Sequence, residues 1–258
     1  MKAALVALAT LALAAGCSSS GSDDNGSGGG SSSGGGLSGA ITVDAASSLT
    51  EAFNALKAKF EAAHPGTTIN ISYGASSDLA TQIGQGAPVD VFASASESTM
   101  QDLGDAALNP TDFVTNVLEI AVPPGNPAGV HGVADLAKPG VKVAVCDPAV
   151  PCGAVAARVF DNANVTVHPK ASLPDVKSTL AAVESGEVDA GLVYVTDVRA
   201  AGDKVDGVEI ASDVNASTTY PIAVLRDAKN ATLAQAWVDY VLSEVGRGVL
   251  TTDGFGRP

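Results

Sequence analysis

The fold of this chain is indicated by one stretch near its start, residues 41–60, which reads ITVDAASSLTEAFNALKAKF. Its first five residues have the pattern of a strand. Apolar side chains then recur at the 3.6-residue spacing of an amphipathic helix, namely Leu49, Ala52, Phe53, Leu56 and Phe60. Ser48 and Glu51 have the Ser-x-x-Glu spacing of a capping box, which predicts that a helix begins here. The stretch therefore predicts a strand that runs directly into a helix.

The rest of the chain repeats this alternation of strand and helix. Further strands are predicted at residues 69–73, 89–93, 117–122, 141–146, 165–167, 191–195 and 221–225. Further helices are predicted at residues 79–83, 100–107, 153–160, 176–185 and 231–242. Repeated βα units favour an α/β fold in which a parallel sheet is covered by helices on both faces.

The βα units fall into two similar halves of unequal size. This predicts two lobes, each a sheet flanked by helices, with a ligand cleft between them. The first lobe is expected to comprise residues 39–121 and 221–258, and the second lobe residues 122–220. Ligands of open α/β sheets bind outside the carboxyl ends of the strands, so we expect the binding site there.

The N-terminal segment predicts an exported, lipid-anchored protein. Lys2 is the only charged residue among residues 1–16, which otherwise resemble a secretory signal peptide. The apolar run is shorter than the roughly 20 residues that a membrane-spanning helix needs. It ends in small residues before Cys17, so we expect Cys17 to be lipidated; the alternative is an ordinary signal with an incidental cysteine. Residues 17–38, rich in Gly and Ser, are expected to form a flexible linker that holds the folded part outside the membrane.

The charge of the chain disfavours one class of partner. The formal net charge is −14, and it becomes −15 once Lys2 leaves with the signal peptide. Proteins that bind nucleic acid carry basic surfaces, so no nucleic-acid partner is expected. An acidic protein also repels anions at long range, but net charge governs this steering rather than the fit of a buried site.

Two cysteines remain after Cys17. Cys146 and Cys152 are six residues apart, and thiols in exported proteins usually pair, so we expect a disulfide that closes a small loop. Two free buried cysteines are the alternative. A zinc site is less favoured, because the three histidines of the chain stand apart without the spacing of zinc ligands.

Four predicted turns between a strand and a helix are candidates for binding a ligand. They lie at residues 46–51, 73–79, 151–154 and 174–177. A helix N-terminus offers unpaired N–H groups and a partial positive charge, which makes it an anion site. Capping of the helix alone is the alternative at each turn. Together, at one edge of two sheets, the four turns predict an anion site that needs no Lys or Arg.

Five ordered blocks of the sequence then suggest a family. They are residues 41–50 (ITVDAASSLT), 73–83 (YGASSDLATQI), 86–95 (GAPVDVFASA), 147–153 (DPAVPCG) and 191–194 (GLVY). These blocks resemble the molybdate-binding proteins of bacterial molybdenum ABC importers, from about residue 41 to the end of the chain. The resemblance implies a two-lobed periplasmic-binding-protein fold of type II that closes on molybdate or tungstate. It also implies a monomer without a cofactor that delivers the oxyanion to the membrane subunits of an ABC importer.

The resemblance further implies which residues hold the oxyanion. Ser48 and Ser76 would give hydroxyl and N–H groups, Cys152 and Val176 backbone N–H groups, and Tyr194 its hydroxyl. Cys152 stands where the family has Ala, but only its backbone donor is needed. All these groups donate hydrogen bonds and none is a carboxylate. They therefore suit molybdate or sulfate, which only accept, better than phosphate, which usually keeps a proton.

Three alternatives compete with a molybdate receptor. A receptor for sulfate or another tetrahedral oxyanion would use the same donors, because the sequence does not give the size of the site. A hydrolase that uses Ser48 or Ser76 is disfavoured, since neither serine lies in a Gly-x-Ser-x-Gly elbow and no histidine is placed as a base. A redox protein is disfavoured because Cys146 and Cys152 lack the Cys-x-x-Cys spacing. We therefore expect no enzyme activity.

Overall fold

A computed structural model of the protein describes residues 36–258. The signal peptide predicted at residues 1–16, the lipidation predicted at Cys17 and most of the linker predicted at 17–38 lie outside the described residues. Across the described part, none of the helices combines the length and the apolar character needed to cross a membrane.

Nine strands form the sheet of the described part. They are β1 (Gly39–Ala46), β2 (Thr67–Gly74), β3 (Val91–Ala93), β4 (Ala107–Val122), β5 (Val143–Cys146), β6 (Ala171–Leu173), β7 (Ala190–Tyr194), β8 (Asp206–Val208) and β9 (Ser217–Leu225). Their order across the sheet is β2-β1-β3-β9-β4-β7-β5-β6, and β8 adds to β4.

Eight α-helices flank this sheet. They are α1 (Thr50–Ala63), α2 (Ser76–Gly84), α3 (Glu97–Gln101), α4 (Pro151–Asn162), α5 (Val176–Glu184), α6 (Val195–Ala201), α7 (Ala231–Leu242) and α8 (Glu244–Thr252). The predicted α/β class is confirmed, and both the strand and the helix expected within residues 41–60 are present.

The centre of the sheet differs from the fully parallel arrangement that the sequence predicted. The strands β1, β2 and β3 run parallel to one another, and so do β5, β6 and β7. Between these groups, β4 and β9 pair antiparallel with each other and with their neighbours. The reason is the path of the chain, which leaves one group along β4 and returns beside it along β9, in the opposite direction.

Each parallel group has its own hydrophobic core, and we call the two parts the first and the second lobe. The first lobe packs α1, α7 and α8 on β1, β3 and β9, with Trp237 edge-on to Phe53 and Phe60. The second lobe packs an aliphatic core around β5 and β7. Along β4, Phe113 and Val114 belong to the first core, whereas Leu118 and the residues 120–122 belong to the second. The lobe limits of 39–121 with 221–258 and 122–220 stay a prediction, although the packing changes core a few residues before 122.

The strand predicted at 165–167 is wrong, because these residues form no strand. Asn164 has a positive φ of 51°, and the Val165 N–H bonds back to the Phe160 carbonyl as the chain leaves α4. Pairing with β5 therefore starts later, at Ala171.

The predicted helix at 100–107 is also displaced. Helix α3 already begins at Glu97, because the Ser96 side chain accepts the Thr99 N–H. A separate 3-10 helix at Gly104–Ala106 follows, and Gly104 has a positive φ of 52°. The sequence missed α6 and α8 altogether; α8 contains two glycines, which lower helix propensity.

Candidate functional site

A small cavity lies where the carboxyl ends of β1 and β2 face those of β5 and β7. The lining comes from both lobes and consists of Ala46, Ser47, Ser48, Gly74, Ala75, Ser76, Ala95, Val150, Pro151, Cys152, Asp175, Val176 and Tyr194. All five residues predicted to hold an oxyanion are therefore brought together around one cavity. About 20 Å³ of it is open to the centre of a water molecule. Because one water needs about 10–15 Å³ on this measure, the cavity suits a single small ion.

Ser48 borders the cavity from the first lobe. It lies inside a 3-10 helix, Ser47–Leu49, that immediately precedes α1, and its hydroxyl is 2.8 Å from the Tyr220 hydroxyl. The capping box predicted for Ser48 and Glu51 is wrong, because no side chain in the described part of the chain caps either helix start. When Tyr220 donates to Ser48, the hydroxyl hydrogen of Ser48 is available to a ligand.

Ser76 is the second hydroxyl of the first lobe and the first residue of α2. Its Oγ accepts the backbone N–H of Ala95 at 3.0 Å, and the residue is buried. The hydroxyl hydrogen of Ser76 is not used by this bond. The Asp78 N–H bonds to the Ala75 carbonyl, so this hydroxyl hydrogen and the N–H groups of Ser76 and Ser77 are the donors that α2 offers to an anion.

Cys152 borders the cavity from the second lobe as the second residue of α4. It forms a disulfide with Cys146 at the end of β5, and the two Cα atoms are 5.8 Å apart. The next residue must be glycine, because a Cβ on Gly153 would collide with the Asp147 carbonyl oxygen. Among residues 36–258 no side chain caps the start of α4, and Pro151 has no N–H, so the N–H groups of Cys152 and Gly153 are open to the cavity.

Val176 begins α5 in the second lobe, and the residue before it adds a carboxylate to the lining that the sequence did not predict. Asp175 Oδ1 accepts the Ser178 N–H at 2.7 Å and so caps its own helix. Because that oxygen is engaged, the N–H groups of Val176 and its neighbour are the donors that α5 offers.

Tyr194 ends β7 and is fully buried. Within the described residues its hydroxyl has no hydrogen-bond partner. Burial raises the pKa of this hydroxyl well above its usual value, so it keeps its proton and remains a donor. An unpaired buried polar group costs about 1–3 kcal/mol, and an oxygen of a ligand would remove that cost.

Tyr220 is a functional candidate that the sequence did not predict. It lies on β9, is fully buried and contacts Ser48 from 172 residues away in the chain. Its ring also packs edge-on against Tyr194, with ring centres 6.2 Å apart. No local motif marks Tyr220, so only the folded arrangement reveals it.

Comparison with known proteins places the chain in a family. The sequence pattern of the bacterial extracellular solute-binding proteins matches residues 41–256. The chain belongs to this family. The cavity lies between the two lobes, where the sequence predicted a ligand cleft.

Individual relatives of this solute-binding protein agree with the resemblance seen in the sequence. The molybdate-binding protein ModA of Mycobacterium tuberculosis is 39% identical over 222 residues, which cover 85% of each chain. A Bacillus subtilis protein, provisionally named ABC transporter substrate-binding lipoprotein YvgL, is 32% identical over 224 residues, 83% of this chain and 85% of its own. The periplasmic molybdate-binding protein of Azotobacter vinelandii shares the fold, with a TM-score of 0.75 at 19% identity over 84% of this chain and 99% of its own. The predicted family and the two-lobed fold are confirmed.

Proposed function

We propose that this protein captures molybdate, and tungstate with it, and delivers the oxyanion to the membrane subunits of an ABC importer. The observation that carries the proposal is the cavity itself, which is small, is shared by both lobes and is surrounded by hydrogen-bond donors. The name of the Mycobacterium tuberculosis relative supports molybdate as the ligand.

The donors suit a doubly charged tetrahedral oxyanion. Helix starts at Ser76, Pro151 and Val176 direct N–H groups and partial positive charge to one place. The lining contains no Lys or Arg among the described residues, so fixed dipoles rather than cations would hold the charge. The unpaired hydroxyl of Tyr194 would complete the set.

The same donors disfavour phosphate. Phosphate usually keeps a proton near neutral pH, and that P–OH group needs an acceptor. The carboxylate that borders the cavity, Asp175, accepts the Ser178 N–H of its own helix through Oδ1, and its Oδ2 remains an acceptor. A P–OH group that does not reach this Oδ2 would leave polar groups unpaired, which lowers the affinity for phosphate.

Calorimetric titration of the purified mature protein tests the proposal. Molybdate, tungstate, sulfate and phosphate are added in separate titrations at the same ionic strength. We expect molybdate and tungstate to bind tightly, sulfate to bind more weakly and phosphate to give no measurable heat. Tight binding of sulfate with no response to molybdate would instead identify a sulfate receptor.

The proposal assigns no catalytic step to the protein. A hydrolytic serine needs a base, but Ser48 pairs with Tyr220 and Ser76 with a backbone N–H. His64, His131 and His168 are outside the cavity lining. Hydrolysis of simple ester substrates that is lost in Ser48→Ala would contradict this assignment.

The proposal also places the protein outside the cytoplasm, held as a monomer to the membrane by a lipid on Cys17. Support comes from the signal-like residues 1–16 and from the name of the lipoprotein relative. Mass spectrometry of the N-terminal peptide of protein from membranes is expected to show an acylated Cys17. An unmodified Cys17 would contradict the anchor, and light scattering of the purified protein checks the monomer.

A further inference from the structure

The ammonium group of Lys177 joins carboxylates from both lobes beside the cavity. Its Nζ lies 2.8 Å from Glu51 Oε2 on α1 of the first lobe. It also lies 3.2 Å from Asp197 Oδ1 on α6 of the second lobe. Lys177 itself is on α5 of the second lobe, so its contact with Glu51 crosses the cleft.

Each of these three charged residues is connected to a different predicted oxyanion donor, either along the chain or through a hydrogen bond. Glu51 is three residues after Ser48, in the first turn of the helix that Ser48 leads into. Lys177 directly follows Val176 at the start of α5. Asp197 Oδ2 accepts the backbone N–H of Tyr194 at 3.1 Å.

The two ion pairs of Lys177, one with Asp197 and one with Glu51, differ in burial. Asp197 has no exposed side-chain surface, and its Oδ1 has no hydrogen-bond partner in residues 36–258 apart from the facing Lys177 ammonium. A buried carboxylate without a paired cation is strongly destabilising, so this pair is expected to persist. The Glu51 side chain is 47% exposed, so its pair with Lys177 can break at little cost when the lobes separate.

We propose that Lys177 is a positioning residue of the oxyanion site. Its ammonium does not border the cavity but ties together, across the cleft, the chain segments that carry Ser48, Val176 and Tyr194. The Glu51–Lys177 contact forms when the lobes come together and slows release of the bound ion. This inference rests on the proposed function, because it assumes that an oxyanion binds in the cavity.

The rate of molybdate release from the mature protein tests this role. Glu51→Gln removes the negative charge from the contact across the cleft and leaves the buried Lys177–Asp197 pair intact. We expect molybdate to dissociate about fivefold faster, as for the loss of one partly exposed ion pair, with no change in the melting temperature of the ligand-free protein. Stopped-flow displacement of molybdate by excess tungstate, followed by intrinsic fluorescence, measures the rate.

Asp253→Asn is the matched control for charge. Asp253 borders the same crevice as Glu51 and Ser48, but it makes no ion pair among the described residues. Removing a negative charge near an anion alone would slow release of that anion. Faster release in Glu51→Gln and unchanged or slower release in Asp253→Asn would therefore support the ion pair, whereas equal rates in the two variants would overturn it.

A double variant separates positioning from general damage to the fold. If Glu51 acts only through Lys177, then Glu51→Gln combined with Lys177→Met releases molybdate no faster than Lys177→Met alone. Effects that multiply would overturn the inference. Release that is unchanged in a protein that binds molybdate rejects only the role of Lys177, whereas a native protein that binds no oxyanion rejects the proposed function as well.

Discussion

Ser76 shows how one buried hydroxyl can serve both the fold and a ligand. Its oxygen accepts the N–H of Ala95, and this bond ties the start of α2 to the segment after β3. Its hydrogen stays available for the cavity. The two functions do not compete, because a hydroxyl group can accept and donate at the same time.

Ser76→Ala is expected to weaken molybdate binding by about 1–3 kcal/mol, the usual range for a lost hydrogen bond to a charged group. Titration calorimetry measures the change. Ser77→Ala is the matched control, because the Ser77 hydroxyl is its neighbour but is not part of the cavity lining. A dissociation constant that is the same in Ser76→Ala and the native protein would remove Ser76 from the site.

Asp197 makes the stability of the protein depend on pH. Burial raises the pKa of this carboxyl from 3.8 to about 6, although the Lys177 ammonium acts in the opposite direction. The folded protein therefore holds this proton more tightly than the unfolded chain. The resulting stabilisation is complete below pH 3.8 and is lost as the pH rises through 6.

Asp197→Asn replaces the carboxyl by an amide that does not ionise, so the free energy of unfolding of the variant lacks this dependence on pH. Between pH 4 and pH 7, the free energy of unfolding of the native protein is expected to fall by about 2 kcal/mol relative to that of the variant. Urea unfolding of both proteins at several pH values measures this difference, and other carboxyls cancel in it. Parallel pH profiles would show that the pKa of Asp197 is not raised in the folded state.

At the scale of the elements, the start of α4 is fixed by covalent and steric constraints. The disulfide ties this helix to the end of β5, and Gly153 lets the turn fold back onto the Asp147 carbonyl. Both constraints hold the backbone, whereas the predicted role of Cys152 needs only its N–H group. The bond to Cys146 therefore concerns stability more than recognition.

Replacing both Cys146 and Cys152 by alanine tests this separation. The loop between them is short, with a sequence separation of 6, so its loss is expected to lower the free energy of unfolding by only about 2 kcal/mol. Molybdate affinity is expected to remain largely intact. Chemical unfolding and calorimetry measure the two quantities, and a double variant that still folds but no longer binds would contradict a backbone-only role for Cys152.

For the whole molecule, the hydrophobic cores of the two lobes are joined through the paired strands β4 and β9. The cavity takes its lining from both lobes, so a bound ion would contribute contacts to each. The Glu51–Lys177 pair crosses the same boundary at the edge of the cavity. Ligand binding and contact between the lobes are therefore expected to be coupled.

Much of this organisation could be predicted from the sequence, because it depends on local patterns. The spacing of Leu49 to Phe60 predicted α1, and small residues after strands predicted helix starts beside a ligand. The family blocks named five site residues, and the structure brings all five to one cavity, although their binding role stays a prediction. Local sequence patterns indicate which face of a helix or strand is buried and roughly where that helix or strand ends.

Contacts between distant residues could not be read in this way. The antiparallel centre of the sheet depends on how the chain returns along β9, and Tyr220 reaches Ser48 only after that return. The sequence interpreted Ser48 and Glu51 as one capping box, but folding sends their side chains to Tyr220 and Lys177 instead. The spacing of apolar residues indicated where most of the helices lie, because it depends only on neighbouring residues, whereas tertiary packing decided which partners their side chains meet.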